Sequence, residues 1–166
     1  PSFAGGGAER VLVTLANGLD RDVFQPQILV LNPAGPLHKL VDQDIPIISL
    51  NYTRVRDALW ALRRTIRRLS PYCVVSTMAY LNFAVLAACR PGLGRSRFIV
   101  REANEPNVTL NAIRVPLLAR FLYRFLYPWA DMVICPSERI HREFAQHFGI
   151  QQARLSVLQN PVDVAA

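Results

Sequence analysis

Helical and strand-like spacings of apolar residues alternate along this chain from one end to the other. The glycine run Gly5–Gly7 leads into a predicted helix from about Ala8 to Leu19. A stretch rich in branched residues, Gln27–Leu31, predicts a strand, and Asn32–Pro36 reads as a turn. A short helix is expected from Leu37 to Gln43, then a strand at Ile47–Leu50 after Pro46. Arg54–Leu69 carries the clearest helical signal. Val55, Leu59, Leu62, Ile66 and Leu69 recur at spacings of four and three and share one face. Arg56, Arg63, Arg67 and Arg68 fall largely outside that stripe, and Ser70-Pro71 ends it.

The second half repeats the alternation. Strand Val74–Thr77, helix Leu81–Cys89, turn Pro91-Gly92 and strand Phe98–Arg101 follow in order. Glu102–Asn111 reads as a polar loop before a long apolar helix from about Ala112 to Tyr127. Asp131–Cys135 is a further predicted strand. Ser137 is placed to cap a helix Glu138–Phe148, with Gly149 where a left-handed residue suits the helix end. Arg154–Leu158 is the last predicted strand, ahead of Asn160-Pro161. Helices and strands taking turns point to an α/β fold, a doubly wound parallel sheet of Rossmann-like type. A glycine turn that opens a helix is normally fed by a strand. Only a few residues precede Gly5, so the first strand is expected to be truncated.

Composition narrows the class. With 166 residues, 51% apolar and 19% charged, the chain has the make-up of a globular domain. Its net charge is +7, and Lys39 is the only lysine. An arginine-dominated surface suits forked phosphate recognition and favours an anionic partner: nucleic acid, a lipid surface or a phosphorylated ligand. Cys73, Cys89 and Cys135 lie in apolar stretches without CxxC pairing, so buried, reduced thiols in a cytosolic protein are expected. The apolar run Val115–Cys135 is broken by Arg120, Arg124, Pro128 and Asp131 and makes a poor membrane span. His38, His141 and His147 have no partner at metal-ligand spacing, so no metal is expected.

Glycines at a helix start let the backbone approach a ligand, and the unpaired N–H groups there favour phosphate or carboxylate. Gly5, Gly6 and Gly7 are compatible with that role. A nicotinamide dinucleotide fits less well, because the third required glycine would fall at Arg10. On the helix expected at Ala112–Tyr127, apolar groups spread around most of the circumference, and Arg120 and Arg124 share a face with Leu117 and Tyr127 near them. Arginine beside exposed apolar groups can lie in a lipid interface or hold a polyprenyl phosphate. Burial against the sheet or another domain is the alternative.

Three segments together carry a resemblance. Gly6-Gly7-Ala8-Glu9-Arg10-Val11-Leu12 is similar to the GGAERVL opening of family 4 glycosyltransferases. Ala130–Glu138 resembles their AD-x-V-I-x-x-S-E stretch. Phe148-Gly149-Ile150 with Leu155–Asp163 resembles the FGI and NPVD that close their N-terminal domain. The resemblance implies a GT-B fold, with an N-terminal acceptor-side domain over 1–163, the start of an interdomain linker at 164–166, and an absent C-terminal donor domain. It further implies retaining transfer of a hexose from a nucleotide sugar to a glycan or lipid-linked acceptor, without metal or other cofactor, and no activity for this piece alone. Gly5, Gly6 and Gly7 would border the donor phosphate side of the cleft. Thr77, Tyr80, Asn82, Arg101, Glu102 and Asn104 would lie at strand ends on the acceptor side. Many relatives carry a histidine where this chain has Ala103, so the resemblance assigns no catalytic residue. Relatives that work on lipid-linked acceptors imply a cytoplasmic protein, peripheral at the inner membrane face, with Arg120 and Arg124 as lipid contacts. Two other classes remain open: a basic Rossmann-like module for nucleic acid or an anionic surface, and a catalytically dead partner subunit. No recognised nucleic-acid motif supports the former.

Overall fold

A computed structural model describes residues 3–92, 94–112 and 115–161. The described residues form two compact units, one from 3–58 with 160–161 and one within 59–159.

In the first unit, helix α1 (Gly7–Asn17) starts one residue before the predicted position, and its first backbone bond runs from Arg10 N to Gly6 O. Strands β1 (Ile28–Val30) and β2 (Ile47–Ser49) pair in parallel, Leu29 opposite Ile48. The expected helix after the turn is a single 3-10 segment, Pro36–Leu40. Phe3, Val13, Val30 and Leu37 form the core, with Ile28, Val41 and Ile47 packed against it. Gly35 is required where it stands. Its φ is 135°, and a Cβ there would come within 2.0 Å of the Phe3 carbonyl oxygen.

The second unit holds a four-stranded parallel sheet in chain order: β3 (Cys73–Thr77), β4 (Arg97–Arg101), β5 (Met132–Cys135) and β6 (Leu155–Val157). The register sets Ser76 beside Val100, Val133 and Leu155. Phe98, Val100, Val133 and Cys135 share that face and are fully buried. The connecting helices are α3 (Ala79–Cys89), α5 (Pro116–Leu126) and α6 (Glu138–His147). Helix α2 (Leu59–Leu69) packs on α3, which in turn packs on α5. Parallel strands joined through helices give the expected α/β class, with the pairing divided into a two-stranded and a four-stranded sheet.

Caps account for several helix ends. Ser137 Oγ accepts from Ile140 N at 3.4 Å, as its position predicted, and Gly149 has φ 66°. Three expectations need correction. The predicted loop Glu102–Asn111 contains a helix, α4 (Pro106–Ala112), and the long helix begins at Pro116, not Ala112. Proline has no N–H to lose at a first helical turn, so Pro106 and Pro116 each open a new helix. Ile113, placed in the long helix from sequence, lies outside the described residues, as do Val162, Asp163 and the linker expected at 164–166. Similarly, the helix predicted from Arg54 is a 3-10 turn at Val55–Ala58 followed by α2.

Candidate functional site

The carboxyl ends of β3 and β4 meet in a buried polar knot. Open parallel sheets gather ligands at such ends, and the sequence places Thr77, Asn82, Arg101 and Glu102 there. All four are buried. Asn82, one turn into α3, uses its whole amide. Its Oδ1 accepts from Ser76 Oγ at 2.8 Å, and its Nδ2 donates to Arg101 O (3.0 Å), Glu102 Oε1 (3.1 Å) and Tyr127 Oη (3.0 Å). Glu102 also accepts from Tyr123 Oη at 3.3 Å and from Tyr127 Oη. The Arg101 guanidinium donates to Thr77 Oγ1 at 3.0 Å. No buried side-chain polar atom among the described residues lacks a partner, which buried polar groups need to avoid a desolvation penalty.

Burial decides the charge state of this knot. Loss of water pushes the Glu102 carboxyl up to about 8. Bonds from Asn82 and Tyr123 and the nearby Arg101 guanidinium pull the other way, and Glu143 adds to the rise. Glu102 is 1% exposed, so its neutral form is favoured far more than that of a carboxyl in water. Burial, with help from Glu102, likewise raises the Tyr123 phenol. It lowers Arg101, which Glu102 partly restores. Cys89 and Cys135 are pushed up to about 12 by desolvation, which leaves them as inert thiols.

Tyr80 and Asn104, unlike Thr77, Asn82, Arg101 and Glu102, are exposed. Tyr80 lies just past Met78, whose φ of 71° bends the chain sharply from β3 into α3. A side chain in that region costs on the order of 1 kcal/mol, and such bends gather at functional sites. Met78 O accepts from the N–H groups of Leu81 and Asn82, which ties the turn to the first turn of α3.

Sequence reasoning missed Tyr123, Tyr127, Ser76 and Glu143 as members. Two tyrosines four apart on one helix were the available signal, since a buried phenol must find a partner. The structure corrects the placement of Tyr127 beside the outward arginines. It is fully buried in the 3-10 turn Tyr127–Trp129, its ring stacked on Phe144 at 5.3 Å. Tyr123 meets Phe83 edge-on at 4.9 Å.

The other face of α5 has the opposite character. Leu117 is 82% exposed, and Leu118, Phe121 and Phe125 are each about half exposed. Phe121 and Phe125 touch, with ring centroids 4.1 Å apart. Arg120 and Arg124, one turn apart and both exposed, edge the apolar stripe. Among the described residues no helix is long and apolar enough to cross a membrane.

In the first unit, Gly5, Gly6 and Gly7 are exposed at the start of α1. The Glu9 carboxylate lies over the turn, so that a Cβ on Gly6 would come within 2.0 Å of its Oε2. An acidic group suits a helix N-terminus electrostatically. A phosphate bound at these glycines would have to displace it.

A family model described as Glycosyltransferase Family 4 matches residues 5–166. The chain belongs to this glycosyltransferase family. Among curated relatives, this family 4 chain is 30% identical over 151 residues to a Campylobacter jejuni subsp. jejuni serotype O:2 protein, covering 83% of this chain and 39% of that one. That relative is the GalNAc-alpha-(1->4)-GalNAc-alpha-(1->3)-diNAcBac-PP-undecaprenol alpha-1,4-N-acetyl-D-galactosaminyltransferase. A second protein of the same organism is 25% identical, over 98% of this chain and 47% of its own length. It is the N-acetylgalactosamine-N,N'-diacetylbacillosaminyl-diphospho-undecaprenol 4-alpha-N-acetylgalactosaminyltransferase. Among solved structures, the apo lipopolysaccharide outer core galactosyltransferase WaaB superposes with a TM-score of 0.67 at 16% identity, over 98% of this chain and 45% of that one. This neighbour has the GT-B fold, in agreement with the fold expected from the sequence. The family 4 chain spans less than half the length of each of these proteins.

Proposed function

We propose that this chain is the acceptor-side domain, residues 1–163, of an enzyme that moves a hexose from a nucleotide sugar onto a glycan carried by a membrane lipid. Family 4 membership supports glycosyl transfer. Both Campylobacter relatives are named for acceptors linked to undecaprenol through a diphosphate. The observation that carries the lipid reading is the two-faced character of α5. Its inner side is tied through Tyr123 to Glu102 at the strand ends, and its outer side is a phenylalanine and leucine stripe edged by Arg120 and Arg124. A helix with side chains is about 10 Å across. An acceptor glycan rising from a bilayer under α5 would therefore need to extend only that far to reach the ends of β3 and β4.

In this reading the buried residues position and the exposed ones touch. Thr77, Asn82, Arg101 and Glu102 lock the two strand-end loops together. Tyr80 and Asn104 present polar groups to the acceptor sugar. Nucleotide-sugar binding is assigned chiefly to the part of the relatives' length that this chain does not span, with Gly5, Gly6 and Gly7 bordering the donor phosphates once Glu9 swings aside. The reading includes no metal. Expressed alone, residues 1–166 should transfer no sugar from any nucleotide sugar, and turnover would overturn the donor assignment. For the lipid reading, vesicles containing anionic phospholipid should retain the intact protein, and Arg120→Glu with Arg124→Glu should release it. Undiminished retention would refute the role of α5.

A further inference from the structure

The outer face of α2 is the other strongly polarised surface of the second unit. Trp60, Arg64, Arg67 and Arg68 are all exposed, Trp60 by 70%. At 3.6 residues per turn their spacing confines them to an arc of about 100°. Leu62 and Ile66 are buried on the opposite side. The helix sequence, LWALRRTIRRL, contains no carboxylate. Among the described residues, no acidic group pairs with Arg64, Arg67 or Arg68.

Helix stability explains only part of this stripe: Arg67 and Arg68 lie in the last turn of α2, where cations suit the helix dipole, but Arg64 does not. Like charges three and four apart each weaken a helix by about 0.2–0.5 kcal/mol. Arg63 provides the internal contrast: its Nη1 donates to Ala88 O at 2.5 Å and Pro91 O at 2.6 Å, fastening α2 to the end of α3. Among the described residues, Arg64, Arg67 and Arg68 make no such bond to the fold. Arg64 instead lies over the exposed Trp60 ring, 5.3 Å from the centroid. An indole with stacked guanidinium combines an apolar body with a cationic edge, which suits the headgroup level of a bilayer. From Trp60 to Arg68 the helix runs about 12 Å, enough to meet several headgroups at once.

We infer that the Trp60–Arg64–Arg67–Arg68 face of α2 is an electrostatic contact for anionic phospholipid headgroups, working together with the apolar face of α5. The inference rests on the lipid reading proposed above. One weak apolar contact binds a membrane marginally, and stable, reversible attachment takes two signals. Here α5 supplies insertion flanked by Arg120 and Arg124, and α2 supplies further charge, with α3 packed against both helices. The apolar stripe of α5 favours a bilayer over nucleic acid, whose backbone offers nothing for exposed phenylalanines.

The test is vesicle co-sedimentation of the intact protein with phosphatidylcholine alone and with added phosphatidylglycerol. Each arginine near an anionic surface strengthens binding about fivefold, so R64Q/R67Q/R68Q should weaken retention on phosphatidylglycerol vesicles about a hundredfold. Retention on phosphatidylcholine should stay unchanged. R64K/R67K/R68K should restore anionic binding, whereas F121S/F125S should weaken retention on both vesicle types. Circular dichroism should show all variants folded, since these positions are exposed. Wild-type retention of the glutamine variant on anionic vesicles would overturn the inference while leaving the α5 reading standing. The same outcome with lost binding to a duplex oligonucleotide would reassign the face to nucleic acid. If the wild type sediments with neither vesicle, the lipid reading itself fails.

Discussion

At the ends of β3 and β4 this protein buries polar groups, while on the outer face of α5 it leaves apolar ones in water. Both invert the usual arrangement, and the inversions have different costs. A buried amide or carboxyl without partners loses about 1–3 kcal/mol, so the knot persists only because Asn82, Glu102, Tyr123 and Tyr127 satisfy one another. An exposed phenylalanine costs the fold little and signals a surface waiting for a partner. In the proposed reading the knot holds the loops of the site, and the stripe faces what the site meets. Helix α5 joins them, with Tyr123 inward and its phenylalanines outward.

Breaking the knot should have the largest effect. Asn82→Ala removes the amide that bonds Ser76, the Arg101 carbonyl, Glu102 and Tyr127 together. We expect a loss of about 3 kcal/mol in denaturant unfolding. A loss too small to measure would show that the network contributes nothing to holding the loops.

A gentler change sharpens the comparison through pH. The Glu102 carboxyl sits above its ordinary value of 4.5, up to about 8, chiefly through burial. The folded state therefore holds this proton more tightly than the unfolded state does. Its contribution is fully present below about 4.5 and is lost as pH rises towards about 8. Arg101, Glu143 and Tyr123 face the same carboxyl and set the detail of the curve. Glu102→Gln keeps the shape and cannot ionise, so its melting temperature should fall less between those limits. Parallel wild-type and variant curves would place the titration elsewhere.

The smallest effect on folding is expected on the outer face. Phe121→Ser with Phe125→Ser should change stability by no more than about 0.5 kcal/mol, because neither ring is held in the core. The same pair should lose vesicle retention. A large destabilisation would mean that the stripe belongs to the fold rather than to a partner.

Much of the fold was legible from local pattern. Branched runs gave every strand of the larger sheet within one residue at either end, and Ser137 and Gly149 marked the last helix because caps are chemistry between near neighbours. The break between α4 and α5 was misread because apolar spacing continues through it, while the prolines at 106 and 116 act on the backbone. The site was legible as a set of strand-end residues but not as a division of labour. Thr77, Asn82, Arg101 and Glu102 look as available in sequence as Tyr80 and Asn104.

By itself the sequence determined the α/β class, the family and the excess of arginine, since these follow from spacing, motif and composition. Only the tertiary structure decided which of those polar residues face water and which face each other. It turned Arg63 towards carbonyl groups and Arg64, Arg67 and Arg68 towards solvent, and it sent Tyr123 inward and Phe125 outward on one helix. The physical reason is that burial depends on what packs alongside from distant parts of the chain, and burial sets both the charge of Glu102 and the meaning of an exposed phenylalanine.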